Sequence, residues 1–165
     1  MSPRAGDLFA RATALRDAFD RTFTLPAPER QDAPVQVLRL QAAGKEWALR
    51  LDDIVGMHLD PHLARVPAAP RALLGLTTVR GRTWPVYDLS VLLGQGRQER
   101  PRVLCLLRGE PSAALACEVF RGLVHVRAQA IVEAPQLRGS RKAVQVDQDF
   151  LRLLELAELI PKNQP

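Results

Sequence analysis

Two histidines provide the first pattern in this chain that could do chemistry. His58 and His62 stand four residues apart, the spacing at which two imidazoles on one helix can hold a metal ion. Pro61 between them disfavours a helix, and no third ligand follows nearby, so we expect no metal site. The sequence contains neither a G-x-S-x-G motif nor a P-loop. No nucleophile is visibly paired with a base, so we expect neither catalysis nor a bound cofactor.

Arg80, which precedes Gly81, is the strongest candidate for contacting a partner. A guanidinium beside a small, turn-forming residue can present several fixed donors to carboxylate or carbonyl oxygens of another protein. The same group could instead tie down a neighbouring loop of its own fold. The residue types alone do not separate these two roles.

The segment that leads to this arginine is rich in proline and glycine. Its sequence from Val66 to Gly94 is VPAAPRALLGLTTVRGRTWPVYDLSVLLG. Pro67 and Pro70 fix φ and remove backbone donors, and the following ALLGL run reaches Gly75. This pattern predicts a short helix that ends at Gly75.

The second part of the segment predicts a turn, a strand and another short helix. Arg80 and Gly81 lie in the turn, just before an alternating stretch from Thr83 to Leu89 that is typical of a strand. Asp88 is expected to cap a helix over residues 89–93, which stops at Gly94.

The two halves of the chain resemble each other. Alternating apolar residues in both halves have the period of two expected for strands, and therefore predict two small β-barrels. The turn at Arg80 and Gly81 has no visible counterpart in the second half. At a shift of 66 residues (for example 122 minus 56), Val37, Leu38, Leu40, Ala48, Leu49 and Gly56 fall on Val103, Leu104, Leu106, Ala114, Leu115 and Gly122. At a shift of 67, Val86, Asp88, Leu89 and Leu92 fall on Leu153, Glu155, Leu156 and Leu159.

An apolar stripe precedes the repeat and predicts an amphipathic helix. The helix is expected to dock on its own barrel or on another protein, and the sequence does not decide between them. The segment TLPAPERQDAP after it contains three prolines and is typical of an extended linker. The residues of the stripe are Leu8, Ala12, Leu15, Phe19 and Phe23.

Length and composition restrict the classes of protein. A chain of 165 residues suits one compact unit or two small packed lobes. No apolar stretch approaches the roughly 18 residues needed to span a bilayer, so we expect a soluble, cytoplasmic protein. Cys105 and Cys117 lie in apolar strand-like runs without a CxxC motif, so we expect buried free thiols.

A nucleic-acid-binding barrel is the alternative from another class. The net charge of +5 permits an anionic partner, and Arg97, Arg100 and Arg102 form a local basic cluster. Base stacking needs exposed rings beside such charge, whereas the two tryptophans and the tyrosine stand at core-like positions. The cluster is better interpreted as a charged link between the barrels.

The order of residues in the Val66–Gly94 segment resembles the signature of the CheW family, the adaptors of bacterial chemosensory arrays. The second half is similar too, because residues 114–135 (ALACEVFRGLVHVRAQAIVEAP) follow the family's order of strand, acidic residue, strand and terminal proline without a gap. The resemblance covers roughly Val35 to Ile160. The residues that carry the signature are Pro67, Pro70, Gly75, Leu76, Arg80, Gly81, Pro85, Val86, Asp88, Leu89 and Gly94.

This resemblance implies an all-β core of two packed, five-stranded SH3-like barrels without catalytic activity. It places the CheW-like domain at residues 35–160, with approximate halves 35–95 and 101–160. The apolar stripe and the proline-rich segment place the N-terminal helix and linker at residues 1–34, and residues 161–165 are expected to form a tail.

It further implies coupling of the cytoplasmic tip of a methyl-accepting chemoreceptor to the regulatory domain of a CheA-type histidine kinase. The protein would then act at membrane-associated receptor arrays without inserting into the membrane. The receptor is expected in a groove near the junction of the barrels, and the kinase on the barrel surfaces. The positions expected to bind the receptor are Ile54, Gly56, Gly75, Arg80 and Gly81, and those expected to be structural are Pro67, Pro70, Pro85, Asp88 and Gly94.

Four departures from the family pattern predict a divergent adaptor, serving a chemotaxis or twitching-type system. Gly56 stands where many members carry an acidic residue at the receptor groove. Thr78 replaces the usual Asn before Arg80, and Ser90 replaces a frequent Arg. Residues 145–150 lack the glycines common in the last hairpin.

Overall fold

A computed structural model of the chain describes residues 33–97 and 101–160, and the predicted N-terminal helix and the tail lie outside these residues. Most of the described chain forms β-strands. None of the described helices is long and apolar enough to cross a membrane. The strands are β1 (Val35–Ala42), β2 (Lys45–Arg50), β3 (Ile54–Leu59), β4 (Leu73–Val79), β5 (Arg82–Asp88), β6 (Val103–Leu107), β7 (Ala114–Cys117), β8 (Val119–Val126), β9 (Ile131–Leu137), β10 (Ser140–Val146) and β11 (Asp149–Leu153), and the short α-helices are α1 (Leu89–Leu92) and α2 (Leu156–Leu159).

The strands form two mixed sheets. One has six strands in the order β8-β1-β2-β11-β10-β9, and the other has five in the order β3-β6-β7-β5-β4, counted over the described residues. The predicted all-β fold of two packed subdomains is confirmed, with one strand more than expected in the first sheet.

The two halves of the sequence exchange their first hairpins. β1 and β2 pair with strands of the second half, through β8 on one side and β11 on the other. β6 and β7 pair in the same way with β3 and β5 of the first half. Each exchanged hairpin forms one antiparallel and one parallel pairing with strands of the other half, as expected for related repeats. Neither half therefore contains a complete sheet of its own.

The exchanged hairpins bury both of their faces. In β6, Cys105 packs in a central core that also contains Leu38 and Leu49, whereas Leu104 packs in the outer core of the five-stranded sheet. In β1, Leu38 faces the central core and Val37 faces the outer core of the six-stranded sheet. Burial on both faces explains why VLCLL and ALAC are continuous apolar runs without alternation.

The predicted shift of 66 residues is wrong by one position for β1 and β6. Leu38 lies opposite Leu49 in the first hairpin, and Cys105 lies opposite Leu115 in the second. Leu38 therefore corresponds to Cys105 (105 minus 38 is 67), and not to Leu104. A slip of one residue moves a side chain to the other face of a strand. The sequence did not reveal the slip because Val37 and Leu38, like Leu104 and Cys105, are adjacent apolar residues, so either alignment matches apolar residues.

The two cysteines are buried free thiols, as predicted. A side-chain hydrogen bond with Cys105, and then burial, raise the pKa of the Cys117 thiol. A raised pKa keeps the Cys117 thiol protonated, so this thiol is poorly suited to nucleophilic chemistry.

The predicted helix that ends at Gly75 is wrong. Leu73 and Leu74 belong to β4, which pairs with β5, and Gly75 lies inside the strand at a register shift. Pro70 lies in a turn instead of a helix, and its carbonyl accepts a hydrogen bond from the Leu73 amide at 2.9 Å. Cross-strand pairing and burial outweighed the local preference for a helix.

The predicted cap of α1 is confirmed. The buried Asp88 carboxylate accepts a hydrogen bond from the Ser90 amide at 2.9 Å. At the other end, the Gly94 amide donates to the Val91 carbonyl and the Gln95 amide to the Ser90 carbonyl, with Gly94 at φ 79°. This pairing closes the helix in a Schellman motif.

Removing the Asp88 cap should destabilise the protein. We expect Asp88→Ala to lower the free energy of unfolding by about 1–2 kcal/mol, because the Ser90 amide loses its acceptor. Asp88→Asn keeps an oxygen acceptor and serves as the matched control in urea unfolding. An equal loss in both variants would show that the charge of Asp88 matters rather than its cap.

Candidate docking site

Three loops meet at one end of the five-stranded sheet. β3 and β5 run in the same direction and both begin at this end. β4 runs in the opposite direction and therefore ends there. Ile54, Arg80 and Gly81 therefore lie at the same end of this sheet. Gly56 lies two residues further along β3, and Gly75 lies toward the opposite end of β4.

Arg80 and Gly81 form the two-residue turn between β4 and β5. Both have positive φ, 51° and 74°, and the flanking Val79 and Arg82 are paired. Positive φ at both central residues matches the right-handed twist of the hairpin. The Arg80 side chain is exposed and makes no hydrogen bond or ion pair with another described residue. Within the described chain it does not tie down a loop of its own fold.

Two neighbouring arginines do hold this end of the sheet together. Arg82 donates to Glu110 at 2.9 Å, and its guanidinium lies 5.5 Å from the ring centre of Trp84. Arg108 donates to the Asp52 carbonyl at 2.8 Å and to the Ile54 carbonyl at 3.3 Å. Sequence analysis missed both contacts, because their partners lie 28 to 56 residues away in the chain.

Asp53 adds a titratable group to this end. Burial raises the pKa of its carboxyl, and Asp52 raises it further, against the lowering effect of Arg50. A raised acid pKa means that the folded state favours the protonated form. The contribution of Asp53 to stability is therefore lost as the pH rises from about 3.8, its ordinary value, through its folded pKa.

The other predicted receptor-binding residues differ in their access to a partner. Ile54 is only 6% exposed and packs in the central core. Gly75 is buried, and a Cβ atom there would lie 2.4 Å from the Ala64 carbonyl oxygen. Gly56 is half-buried, and a Cβ there would meet only Leu106, at 3.8 Å. The fold therefore requires glycine at position 75 but has room for a side chain at 56.

The Arg80 turn does have a counterpart in the second half, contrary to expectation. Asp147 and Gln148 form the turn between the paired Val146 and Asp149, and Asp147 has φ 55°. The shift of 67 residues that relates β5 to β11 places Asp147 on Arg80. The two turns share a positive φ at their first residue but carry opposite charges. The missing glycine hid this relationship in the sequence.

An exposed apolar surface lies on β8 and was not predicted. Phe120 pairs with Leu40 and Leu123 pairs with Leu38, so both lie on the face that borders the central core. They are nevertheless 38% and 43% exposed. At a shift of 66, the counterpart of Phe120 is the buried Ile54, and the counterpart of Leu123 is the half-buried Met57, which packs against the central core. Among the described residues, the edge of the central core at β3 is thus covered, whereas the edge at β8 is open.

The chain was compared with known families and structures. A family model described as CheW-like domain matches residues 22–164. The crystal structure of scaffolding protein TtCheW from Thermoanaerobacter tengcongensis is similar, with a TM-score of 0.67 and 17% sequence identity over 73% of this chain and 88% of that chain. At this identity the likeness concerns the fold alone. A search of curated proteins found no match.

Gly75 should be far less tolerant of substitution than Gly81. We expect Gly75→Ala to cost about 3 kcal/mol or more, because its φ of 153° is unfavourable and the new methyl group meets backbone atoms. Gly81→Ala meets no atom within 4 Å and carries only the left-handed strain of about 1–2 kcal/mol. Urea unfolding of both variants measures the difference. Equal losses would contradict the close approach of Gly75 to Ala64.

Proposed function

The chain belongs to the family of CheW-like domains, and on that premise we propose that it is a non-enzymatic adaptor that couples a chemoreceptor to a CheA-type histidine kinase. Membership confirms the resemblance drawn from the order of prolines, glycines and Arg80. The adaptor role requires two protein-binding surfaces that can be occupied together, one for the receptor tip and one for the regulatory domain of the kinase. Both surfaces should be of standard size or smaller.

Arg80 supports the receptor part of this proposal most strongly. Its guanidinium is exposed and unpaired within the described chain, and it sits on a two-residue turn of fixed geometry. The turn fixes the backbone position of Arg80, and a guanidinium can form bidentate hydrogen bonds with a carboxylate. We therefore assign recognition of receptor carboxylates or carbonyls to Arg80, with Gly81 allowing the turn.

The other predicted receptor-binding residues have supporting roles in this proposal. Ile54 packs beneath this end of the sheet, and Gly75 allows β4 to approach Ala64. Gly56 leaves space where many family members carry an acidic side chain. A receptor that binds this adaptor would then lack the residue that pairs with that acidic side chain. Such a receptor is consistent with a divergent chemotaxis or twitching-type system.

The second surface in the proposal is the open edge of the central core. Phe120 and Leu123 expose apolar area beside it, and Val119 on the same strand is also exposed. Exposed aromatic and aliphatic side chains of this kind are suited to the desolvated centre of a protein interface. We assign this apolar edge to the CheW-like regulatory domain of the kinase.

Replacing Arg80 should weaken receptor binding without unfolding the protein. We expect Arg80→Ala to raise the Kd for a receptor-tip fragment about tenfold, because charge-assisted hydrogen bonds are lost. The free energy of unfolding should stay within about 1 kcal/mol of the parent, as for an exposed contact. Titration calorimetry and thermal melting measure the two quantities. Arg127→Ala, at an exposed arginine that directly follows β8 of the other sheet, is the control.

A large fall in melting temperature for Arg80→Ala would show a structural role for this residue. Unchanged receptor binding in a folded variant would remove Arg80 from the contact. Loss of binding in the Arg127→Ala control as well would point to general charge attraction instead.

Polar substitution of the apolar edge should weaken binding of the kinase but not of the receptor. We expect the double variant Phe120→Ser and Leu123→Ser to lose retention of the kinase regulatory domain in a pull-down, since buried apolar area drives such contacts. Receptor binding should stay within about twofold of the parent. The opposite pattern, with the receptor lost and the kinase retained, would reverse the assignment of the two surfaces.

A further inference from the structure

A cleft lined by arginines lies at the other end of the five-stranded sheet. Its walls come from the connection between β3 and β4, from Arg97 after α1, and from Pro101 and Arg102 before β6. β3 ends, and β4 and β6 begin, at this end, whereas the Arg80 turn lies at the opposite one. The cleft has a volume of about 930 Å³. We call this feature the arginine cleft; its four arginines are Arg65, Arg71, Arg97 and Arg102.

The backbone around the arginine cleft is held by hydrogen bonds. The Asp60 amide donates to the Arg102 carbonyl at 2.8 Å, which joins the end of β3 to the start of β6. The amide of Ala64 donates to Leu76, and the Leu76 amide donates back to Ala64, both at 2.8 Å. These hydrogen bonds fix the backbone at two places in the wall of the cleft.

The positive charge of the arginine cleft is not neutralised within the described chain. None of its four guanidinium groups makes a hydrogen bond or ion pair with another described residue, and all four residues are exposed. Among the described lining residues, Asp60 is the one acidic residue. Other described arginines do have partners, namely Arg39, Arg82, Arg108, Arg121, Arg141 and Arg152. Four unpaired like charges around one concave surface attract an anionic ligand.

The lining also restricts the chemistry of that ligand. Apolar side chains of Leu63, Val66 and Leu73 lie among the arginines, so the surface suits a ligand that is both acidic and apolar. Among the described lining residues His62 carries the only ring, so the cleft lacks the series of aromatic side chains on which successive nucleobases stack. A volume of this size exceeds the needs of a single phosphate or carboxylate. A peptide with alternating acidic and apolar side chains satisfies all three conditions.

We propose that the arginine cleft binds an acidic, partly apolar peptide segment of a partner protein. Its carboxylates pair with the guanidinium groups, and its apolar side chains contact Leu63, Val66 and Leu73. The sequence showed only Arg97, Arg100 and Arg102 as a basic cluster. The fold brings two of these, Arg97 and Arg102, to a common surface with Arg65 and Arg71. Because the Arg80 turn lies at the opposite end of the sheet, this binding is independent of the proposed receptor contact.

Fluorescence anisotropy with the full chain tests the proposal. The probe is a labelled peptide of alternating Glu and Leu, and its neutral partner has Gln in place of each Glu. We expect the acidic peptide to bind, the neutral peptide to bind at least tenfold more weakly, and the affinity for the acidic peptide to fall as salt is added. The double variant Arg71→Glu and Arg102→Glu should weaken binding of the acidic peptide at least tenfold.

A matched control separates the cleft from the overall charge. The double variant Arg127→Glu and Arg138→Glu changes the net charge equally at exposed residues outside the lining, and it should bind within about twofold of the parent. Circular dichroism of both double variants reports whether they remain folded. If the Arg71 and Arg102 variant unfolds, the single variant Arg102→Gln replaces it, with an expected loss of about threefold.

Three results would overturn the proposal. Equal binding of the acidic and neutral peptides would exclude carboxylate recognition. Equal weakening of peptide binding by the two double variants would show that the peptide responds to the net charge of the protein and not to the cleft. Tighter binding of single-stranded DNA or of anionic lipid vesicles than of the acidic peptide, lost in the Arg71 and Arg102 variant, would assign the cleft to that other ligand. The effect of Arg80→Ala on receptor binding has no bearing on these three results, so the peptide proposal and the proposed receptor contact can fail separately.

Discussion

The structure depends on burial of both faces of two exchanged hairpins. β1 with β2 and β6 with β7 lie between a shared central core and the outer core of the sheet to which each hairpin belongs. Each half therefore completes the sheet of the other, and the central core forms only when both hairpins are in place. Docking of one autonomous barrel against another would need no such exchange. Cooperative folding of the described domain as one unit follows from this arrangement.

The exchange also leaves the ends of the sheets free to carry different chemistry. Turns and connections lie outside the shared cores, so their residues can change without disturbing the packing. The Arg80 turn and the Asp147 turn illustrate this, because related hairpins present opposite charges. The two ends of the five-stranded sheet differ as well. Within the described residues, one end holds the unpaired guanidinium of Arg80 beside two arginines that bind the protein itself. The other end holds the four guanidinium groups of the arginine cleft, which have no partner among these residues.

The sequence predicted the features that depend on neighbouring residues. The cap formed by Asp88, the helix stop at Gly94 and the turn at Arg80 and Gly81 were all predicted correctly, since each is decided within a few residues. Family membership followed from the order of such local signals between Val66 and Gly94. The helix predicted before Gly75 failed for the opposite reason. Pairing of β4 with β5, which involves residues 14 positions away at Leu73 and Tyr87, outweighed the local pattern.

What the sequence determined by itself was the β-rich fold, the relationship between the two halves and the turn at Arg80 and Gly81, because alternation, repetition and turn chemistry are properties of the chain. The tertiary structure alone decided which half completes which sheet and where the register slips by one residue. It also decided which charged groups are paired. Arg82 pairs with Glu110, and Arg65 lines the same cleft as Arg102, although the residues of each pair are too far apart in sequence for a local pattern to relate them. Apolar strands buried on both faces carry no period that fixes their register, so packing between the sheets must supply it.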